Sequence, residues 1–141
     1  NGGILTLEDW KNYEVKWRET VTFKYNDLKI ISMAPPSSGG LTLQQILTMI
    51  EPYPLAKYGH NSEKAIQVIV EAERRAYADR NYNLGDPEFA QIPKNKLIEK
   101  NYLKQRMKNF SWDIAISNAI PLPRQPLPHN IIRNTCKKQV W

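Results

Sequence analysis

Serine, histidine and carboxylate are the side chains with which a small chain could carry out hydrolytic chemistry, and here histidine is the scarce one. Ser37 and Ser38 lie together in Pro35-Pro36-Ser37-Ser38-Gly39-Gly40. Either hydroxyl would serve as a nucleophile if a base lay within hydrogen-bond reach. The histidines are His60 and His129. His60 falls in Tyr58-Gly59-His60-Asn61-Ser62, which reads as a surface turn ahead of a helix, and His129 falls in a proline-rich tail. That placement disfavours a Ser-His-Asp arrangement. Two isolated histidines without a neighbouring cysteine or paired carboxylate also make a poor metal site, so no metal ligands are assigned.

Gly39-Gly40 ahead of a helical run suggests anion binding, because free N–H groups and the helix dipole point that way. Neither Gly-x-x-x-x-Gly-Lys-Ser/Thr nor Gly-x-Gly-x-x-Gly is present. The favoured reading is structural: the prolines stiffen a strand exit and the glycines permit tight packing or positive φ. Among the carboxylates, Asp79 and Asp86 flank a turn, and Asp79 with Arg80 is read as a buried ion pair. Helix-end ion pairs are commoner than acid/base dyads. Taken singly, none of these residues marks an active site.

The elements that must position them follow from pattern. Thr6 reads as the N-cap of a short helix to about Tyr13, with Asp9 three residues on in a weakened capping box. Val21, Phe23 and Tyr25 alternate with Thr22 and Lys24 as in a half-buried strand. Asn26-Asp27 suits a tight turn, and Leu28 to Met33 gives the return strand. Leu43, Ile46, Leu47 and Ile50 recur at helical spacing until Pro52. A second long helix starts from Ser62, with Ile66, Ile69, Val70, Glu73 and Tyr77 along one side and Glu71–Arg75 and Arg75–Asp79 pairs on its exposed side. It should end before Gly85-Asp86-Pro87. A third spans about Asn95 to Lys108, with Leu97, Leu103 and Met107 inward. The expectation is an α+β chain of a β-hairpin and three to four helices.

Composition limits the rest. A chain of 141 residues, 41% hydrophobic, suits one domain or part of a larger one. No run approaches the roughly 20 apolar residues of a membrane span, and no basic region followed by an apolar one opens the sequence. Cys136 is the single cysteine, which excludes an internal disulfide framework. Net charge is +6, yet basic residues alternate with acids along the helices, so no nucleic-acid partner is expected. After Ser111 the character changes: four prolines lie between Pro121 and Pro128, and basic residues dominate to Trp141. The domain reading is therefore a segment of 1–110 and a divergent tail of 111–141.

Combined, the motifs carry a resemblance. Met33-Ala34 and Pro35 to Gly40, then a leucine-rich helix, then Glu71-Ala72, Ala76 to Arg80 and Leu84 to Phe89, closely resemble the γ-glutamyltranspeptidases. The opening Gly2-Gly3-Ile4-Leu5-Thr6 with Asp9 and Tyr13 is similar to the family's stretch just upstream. The likeness covers about Gly2 to Lys108 and implies the C-terminal part of a large subunit. It further implies an N-terminal nucleophile hydrolase, in which helices enclose two central sheets as an αββα sandwich. In such enzymes a precursor cuts itself, and a threonine opening the small subunit attacks the γ-glutamyl amide of glutathione or a related compound. Its own α-amine serves as base. No metal or organic cofactor takes part, and a periplasmic or extracellular location is implied.

The sequence departs from the family pattern after the third helix. Thr135 is followed by Cys136 and Lys137, not by threonine and histidine, so no residue here takes the nucleophile's role. The implied partners are the small subunit and the remainder of the large subunit, with glutathione or other γ-glutamyl compounds as substrates of the complete enzyme; exposed apolar surface would favour self-association. The chain alone should be inactive. The tail is read either as a divergent large-subunit end or as a frame-shift product, which would make the chain a remnant acting, if at all, by binding. Within the resemblance, Pro35, Pro36, Ser37, Ser38, Gly39, Gly40, Asp79, Arg80, Gly85, Asp86 and Pro87 are the motif residues expected near the family site, mainly as its scaffold.

Overall fold

The computed structural model describes residues 2–114. Most of the predicted tail, with His129, Thr135 and Cys136, lies outside them. The described chain is α+β: α1 (Leu7–Lys11), β1 (Val21–Tyr25), β2 (Leu28–Ser32), α2 (Gly39–Ile50), α3 (Leu55–Tyr58), α4 (Glu63–Asn83), α5 (Lys94–Leu97) and α6 (Lys100–Arg106). Six helices thus replace the expected three to four among the described residues. The predicted third helix is divided into α5 and α6, with Ile98 and Glu99 between them, and α3 was too short to show a periodicity.

Local chemistry explains the boundaries. Thr6 closes a full capping box: its Oγ1 accepts from Asp9 N at 3.2 Å, and its own N donates to Asp9 Oδ2 at 2.7 Å. α1 ends at Lys11, two residues before the expected Tyr13. The hairpin turns at Asn26, whose φ of 49° is a left-handed value that asparagine tolerates better than most residues. Its strands pair antiparallel with Val21 opposite Ser32 and Phe23 opposite Ile30. Ser62 Oγ caps α4 by accepting from Ala65 N at 3.2 Å.

α2 packs on the hairpin on one side and on α4, α5 and α6 on the other. Met49, Ile50, Val68, Ala72, Ala76, Leu97, Leu103 and Met107 are buried in one core with Tyr102. Beside it, the rings of Tyr53, Tyr58, Phe110 and Trp112 meet edge to face, with centroids 4.8 to 6.3 Å apart. Gln67 Nε2 donates to the carbonyls of Ser111 and Trp112, so the chain beyond α6 is fastened to α4.

The buried face of α4 corrects the sequence expectation. Ala65, Val68, Glu71, Ala72, Arg75, Ala76 and Asp79 face inward, while Ile66 is 48% and Tyr77 51% exposed. The true stripe sits one residue round, a rotation of about 100°. Small residues line it because α4 lies close against α2, and alanine permits that approach where isoleucine would hold it off. The Glu71–Arg75 pair forms, but on the buried face and not the exposed one. On α2, Leu43 is likewise exposed, whereas Leu41 and Gln45 are buried.

Candidate functional site

The two motifs meet. Ser38 precedes α2, and its hydroxyl is not spent on capping that helix; Ser38 Oγ instead accepts a hydrogen bond from Arg80 Nε at 2.9 Å, near the end of α4. Ser37 Oγ accepts from Gly39 N at 3.2 Å, so the two neighbouring hydroxyls hold different partners. Arg80 Nη1 also donates to Asn81 Oδ1 at 2.9 Å, which fixes the guanidinium plane. Beside this contact lies an open cleft of about 460 Å³ lined by Pro36, Ser38, Arg80, Asn81, Leu84, Gly85 and Asp86.

Gly40 sets how closely α2 approaches the hairpin. A Cβ there would lie 2.5 Å from Met33 O and 2.6 Å from Val21 Cβ, whereas one on Gly39 would meet nothing nearer than 3.5 Å. Gly40 N donates to Met33 O at 3.2 Å across the same junction. Pro35 is buried, Pro36 stands at the cleft, and the peptide bond between them is cis.

On the far side, Leu84 N donates to Arg80 O to close α4. Asp86 then organises the turn: its Oδ1 accepts from Glu88 N at 3.0 Å, and its carbonyl accepts from Phe89 and Ala90 N. Gly85 leaves room where a Cβ would come 3.1 Å from Ala90 Cβ. Pro87 lies in this turn but does not line the cleft. Lys16 and Arg18 form ion pairs with Glu88, and Arg18 reaches Asp86 at 3.9 Å.

Asp79 points elsewhere, and the expected Asp79–Arg80 pair does not form. Adjacent helical side chains diverge by about 100°, so Arg80 reaches the cleft while Asp79 enters the core with no solvent exposure. Its Oδ1 lies 3.2 Å from Arg106 Nη2, and its Oδ2 accepts from Gln45 Nε2 at 3.3 Å. Arg75 likewise pairs with Glu71, not with Asp79. Burial pushes the Asp79 carboxyl above its ordinary range, outweighing the pull of Arg106, Tyr102 and Gln45. Burial and the Asp79 charge together raise the Tyr102 phenol. For Glu71, burial pushes up, but hydrogen bonds and charge from Arg75 and Arg74 win and hold it below its ordinary range.

Sequence reasoning missed Gln45 and Arg106, whose partners are distant in the chain, and Asn81, which follows Arg80 directly. His60 is exposed in the turn before α4. Among the described residues no hydrogen bond joins it to Ser37 or Ser38, and no three His, Cys, Asp or Glu side chains cluster in a way that would hold a metal ion.

A sequence model of the γ-glutamyltranspeptidase family matches residues 1–131. The chain belongs to the γ-glutamyltranspeptidase family. It is 43% identical to the glutathione hydrolase proenzyme of Escherichia coli (strain K12) over 121 residues, 86% of this chain and 20% of that protein. The fold superposes on a crystal structure of Helicobacter pylori γ-glutamyltranspeptidase with a TM-score of 0.79 at 44% identity, covering 87% of this chain and 35% of that one. It also matches the Pseudomonas nitroreducens γ-glutamyltranspeptidase, solved in complex with L-DON, with a TM-score of 0.75 at 33% identity, over 85% of this chain and 37% of that one. The chain spans about a fifth of the length of the curated γ-glutamyltranspeptidase relatives it matches. No helix among the described residues is long and apolar enough to cross a membrane.

Proposed function

We propose that this chain is a structural part of a γ-glutamyltransferase/glutathione hydrolase, corresponding to the C-terminal part of the large subunit. The observation that carries the reading is the Ser38–Arg80 bridge: two motifs 42 residues apart meet at one cleft, within a fold similar to a solved γ-glutamyltranspeptidase. In this reading the hairpin contributes strands to a central sheet of the αββα sandwich, and α2 and α4 belong to a helical layer over it. Residues 1–110 are the family segment, and 111–141 are the divergent tail.

The motif residues hold the layers together; they do not perform the chemistry. Gly40 sets the spacing of α2 from the hairpin, Ser38 and Arg80 link the start of α2 to the end of α4, and Gly85, Asp86 and Pro87 form the turn beyond. The nucleophile is a threonine outside this chain, at the N-terminus of the small subunit. Its hydroxyl attacks the γ-glutamyl carbonyl of glutathione or a similar amide while its α-amine takes the proton; the amide C–N bond breaks, the amine leaves with that proton, and the acyl group then passes from the threonine to water or an amine acceptor. The chain alone is then inactive, and the complete enzyme works outside the cytoplasm.

A replacement experiment tests this. The matching stretch of the E. coli glutathione hydrolase proenzyme is exchanged for residues 2–108 of this chain, and self-cleavage and glutamate release from glutathione are measured. Cleavage with hydrolysis is the expected result. A soluble, folded chimera that neither cuts itself nor releases glutamate would count against the reading.

A further inference from the structure

Arginines in this chain find carboxylates, with one exception. Among the described residues Arg18 pairs with Asp86 and Glu88, Arg74 and Arg75 with Glu71, and Arg106 with Asp79. Arg80 forms no ion pair among them. Its Nε and Nη1 donate to the neutral oxygens of Ser38 and Asn81, at 2.9 Å each. Its Nη2 meets no acceptor among the described residues, and the guanidinium keeps its full charge at the wall of the cleft.

The neighbours of Arg80 leave further donor capacity unused. Ser38 Oγ accepts the Arg80 bond, so its own proton is left to donate, and among the described residues no acceptor takes it. Asp86 lines the same cleft but is engaged elsewhere: its Oδ1 accepts from Glu88 N at 3.0 Å and lies 3.9 Å from Arg18 Nη2. A guanidinium with free N–H groups beside a free hydroxyl proton is a receptor for an oxyanion, and the arginine fork fits a carboxylate in particular.

The cleft also has room and an apolar wall. Its volume of about 460 Å³ falls in the range of small-molecule sites and far exceeds a bare carboxylate. Pro36 and Leu84 supply the apolar lining. The Asp86 charge disfavours a doubly charged phosphate, whereas a single negative charge is matched by Arg80 alone.

We propose that this cleft binds a small organic carboxylate, with the carboxylate on the Arg80 guanidinium and the Ser38 hydroxyl and the carbon chain along Pro36 and Leu84. Such binding requires neither the nucleophile nor the small subunit, so its failure would leave the function proposed above untouched.

The test titrates the isotope-labelled full chain with acetate, butyrate and inorganic phosphate at one pH and ionic strength, following the backbone amides of Gly85 and Asp86 by NMR. Saturable shifts are expected with butyrate, about fivefold tighter than with acetate because its two further methylenes are partly buried, and phosphate should bind more weakly than either. Arg80→Gln should abolish saturation, and Ser38→Ala should weaken butyrate by about fivefold through the lost hydrogen bond. Lys104, exposed on α6 and outside the cleft lining, provides the control: Lys104→Gln removes the same charge and should leave the titration unchanged.

Shifts that grow without saturating, or that weaken as much in Lys104→Gln as in Arg80→Gln, would reduce the effect to general attraction by a chain of net charge +6 and overturn the site. Phosphate binding tighter than butyrate would overturn the carboxylate as its ligand. Should Arg80→Gln lose its helical circular dichroism, Ser38→Ala decides in its place, and an unchanged butyrate affinity there overturns the proposal.

Discussion

Arg75 and Arg106 hold each other's backbone: Arg75 Nε donates to the Arg106 carbonyl at 2.7 Å, and Arg106 Nη2 donates to the Arg75 carbonyl at 2.9 Å. The exchange welds α4 to the end of α6. Arg75 also reaches Glu71 and, through Nη2, Asn109 Oδ1 at 2.9 Å, so its planar fork serves three segments of backbone and side chain at once. Only 2% of it is exposed. Removing one member of such a buried set leaves charge and carbonyl uncompensated, at a cost of about 3–5 kcal/mol. Arg75→Ala is therefore expected to lower urea-unfolding stability by that order, and Arg75→Lys to recover little, because a point charge cannot serve diverging acceptors. Full recovery by lysine would reduce the interaction to charge alone.

Two carboxylates on α4 should respond oppositely to acid. Glu71 is held below its ordinary value of 4.5, so the unfolded chain binds its proton first as pH falls. Its stabilisation is present above that value and is lost as pH drops through the folded one. Asp79 is raised above its ordinary 3.8; its contribution is complete below that value and is lost as pH rises through the folded one. Unfolding free energies taken from about pH 7 down to about pH 3 should thus fall less steeply for Glu71→Gln than for the wild type, and more steeply for Asp79→Asn. Three parallel curves would contradict both assignments.

The hairpin, the Ser62 cap and the core positions Leu97, Leu103 and Met107 were legible in the sequence because period and capping are local signals. The face of α4 was not. Its inward positions Ala65, Ala72 and Ala76 carry less hydrophobic weight than Ile66, Val70 and Tyr77, so a pattern ranked by apolar bulk selects the wrong stripe. The burial of Glu71, Arg75 and Asp79 was hidden for a related reason: charged residues at i,i+4 read as a solvated row unless their distant partners, Arg106 and Asn109, are known. The proximity of Ser38 to Arg80 depends on tertiary packing of α2 on α4, to which no local pattern refers.

The paired glycines at the start of α2 should not be equivalent. Alanine at Gly40 would drive Cβ to 2.5 Å from the Met33 carbonyl, just past β2, and 2.6 Å from Val21 Cβ on β1. The helix must then move off the strands, costing on the order of 1–3 kcal/mol. At Gly39 the new methyl meets only Ser37 Oγ at 3.5 Å and Ser32 Oγ at 3.7 Å, and the change should stay within about 0.5 kcal/mol. Thermal melts of the two variants would separate them, and equal melting temperatures would mean that Gly40 does not set the spacing.

Ser38 and Arg80 allow the meeting of the motifs to be measured directly. The Nε–Oγ bond at 2.9 Å links the residue before α2 to the last turns of α4, and both side chains are only partly buried. A hydrogen bond in that setting contributes about 1 kcal/mol net. Ser38→Ala, Arg80→Ala and the double variant form a cycle in which each single change removes the same contact. Urea unfolding should return a coupling energy near 1 kcal/mol, and Ser38→Thr, which keeps the hydroxyl, should retain most of it. Additive effects within about 0.3 kcal/mol would show the pair to be independent. The linkage between the motifs would then lie in the backbone packing around Gly40 and not in this bond.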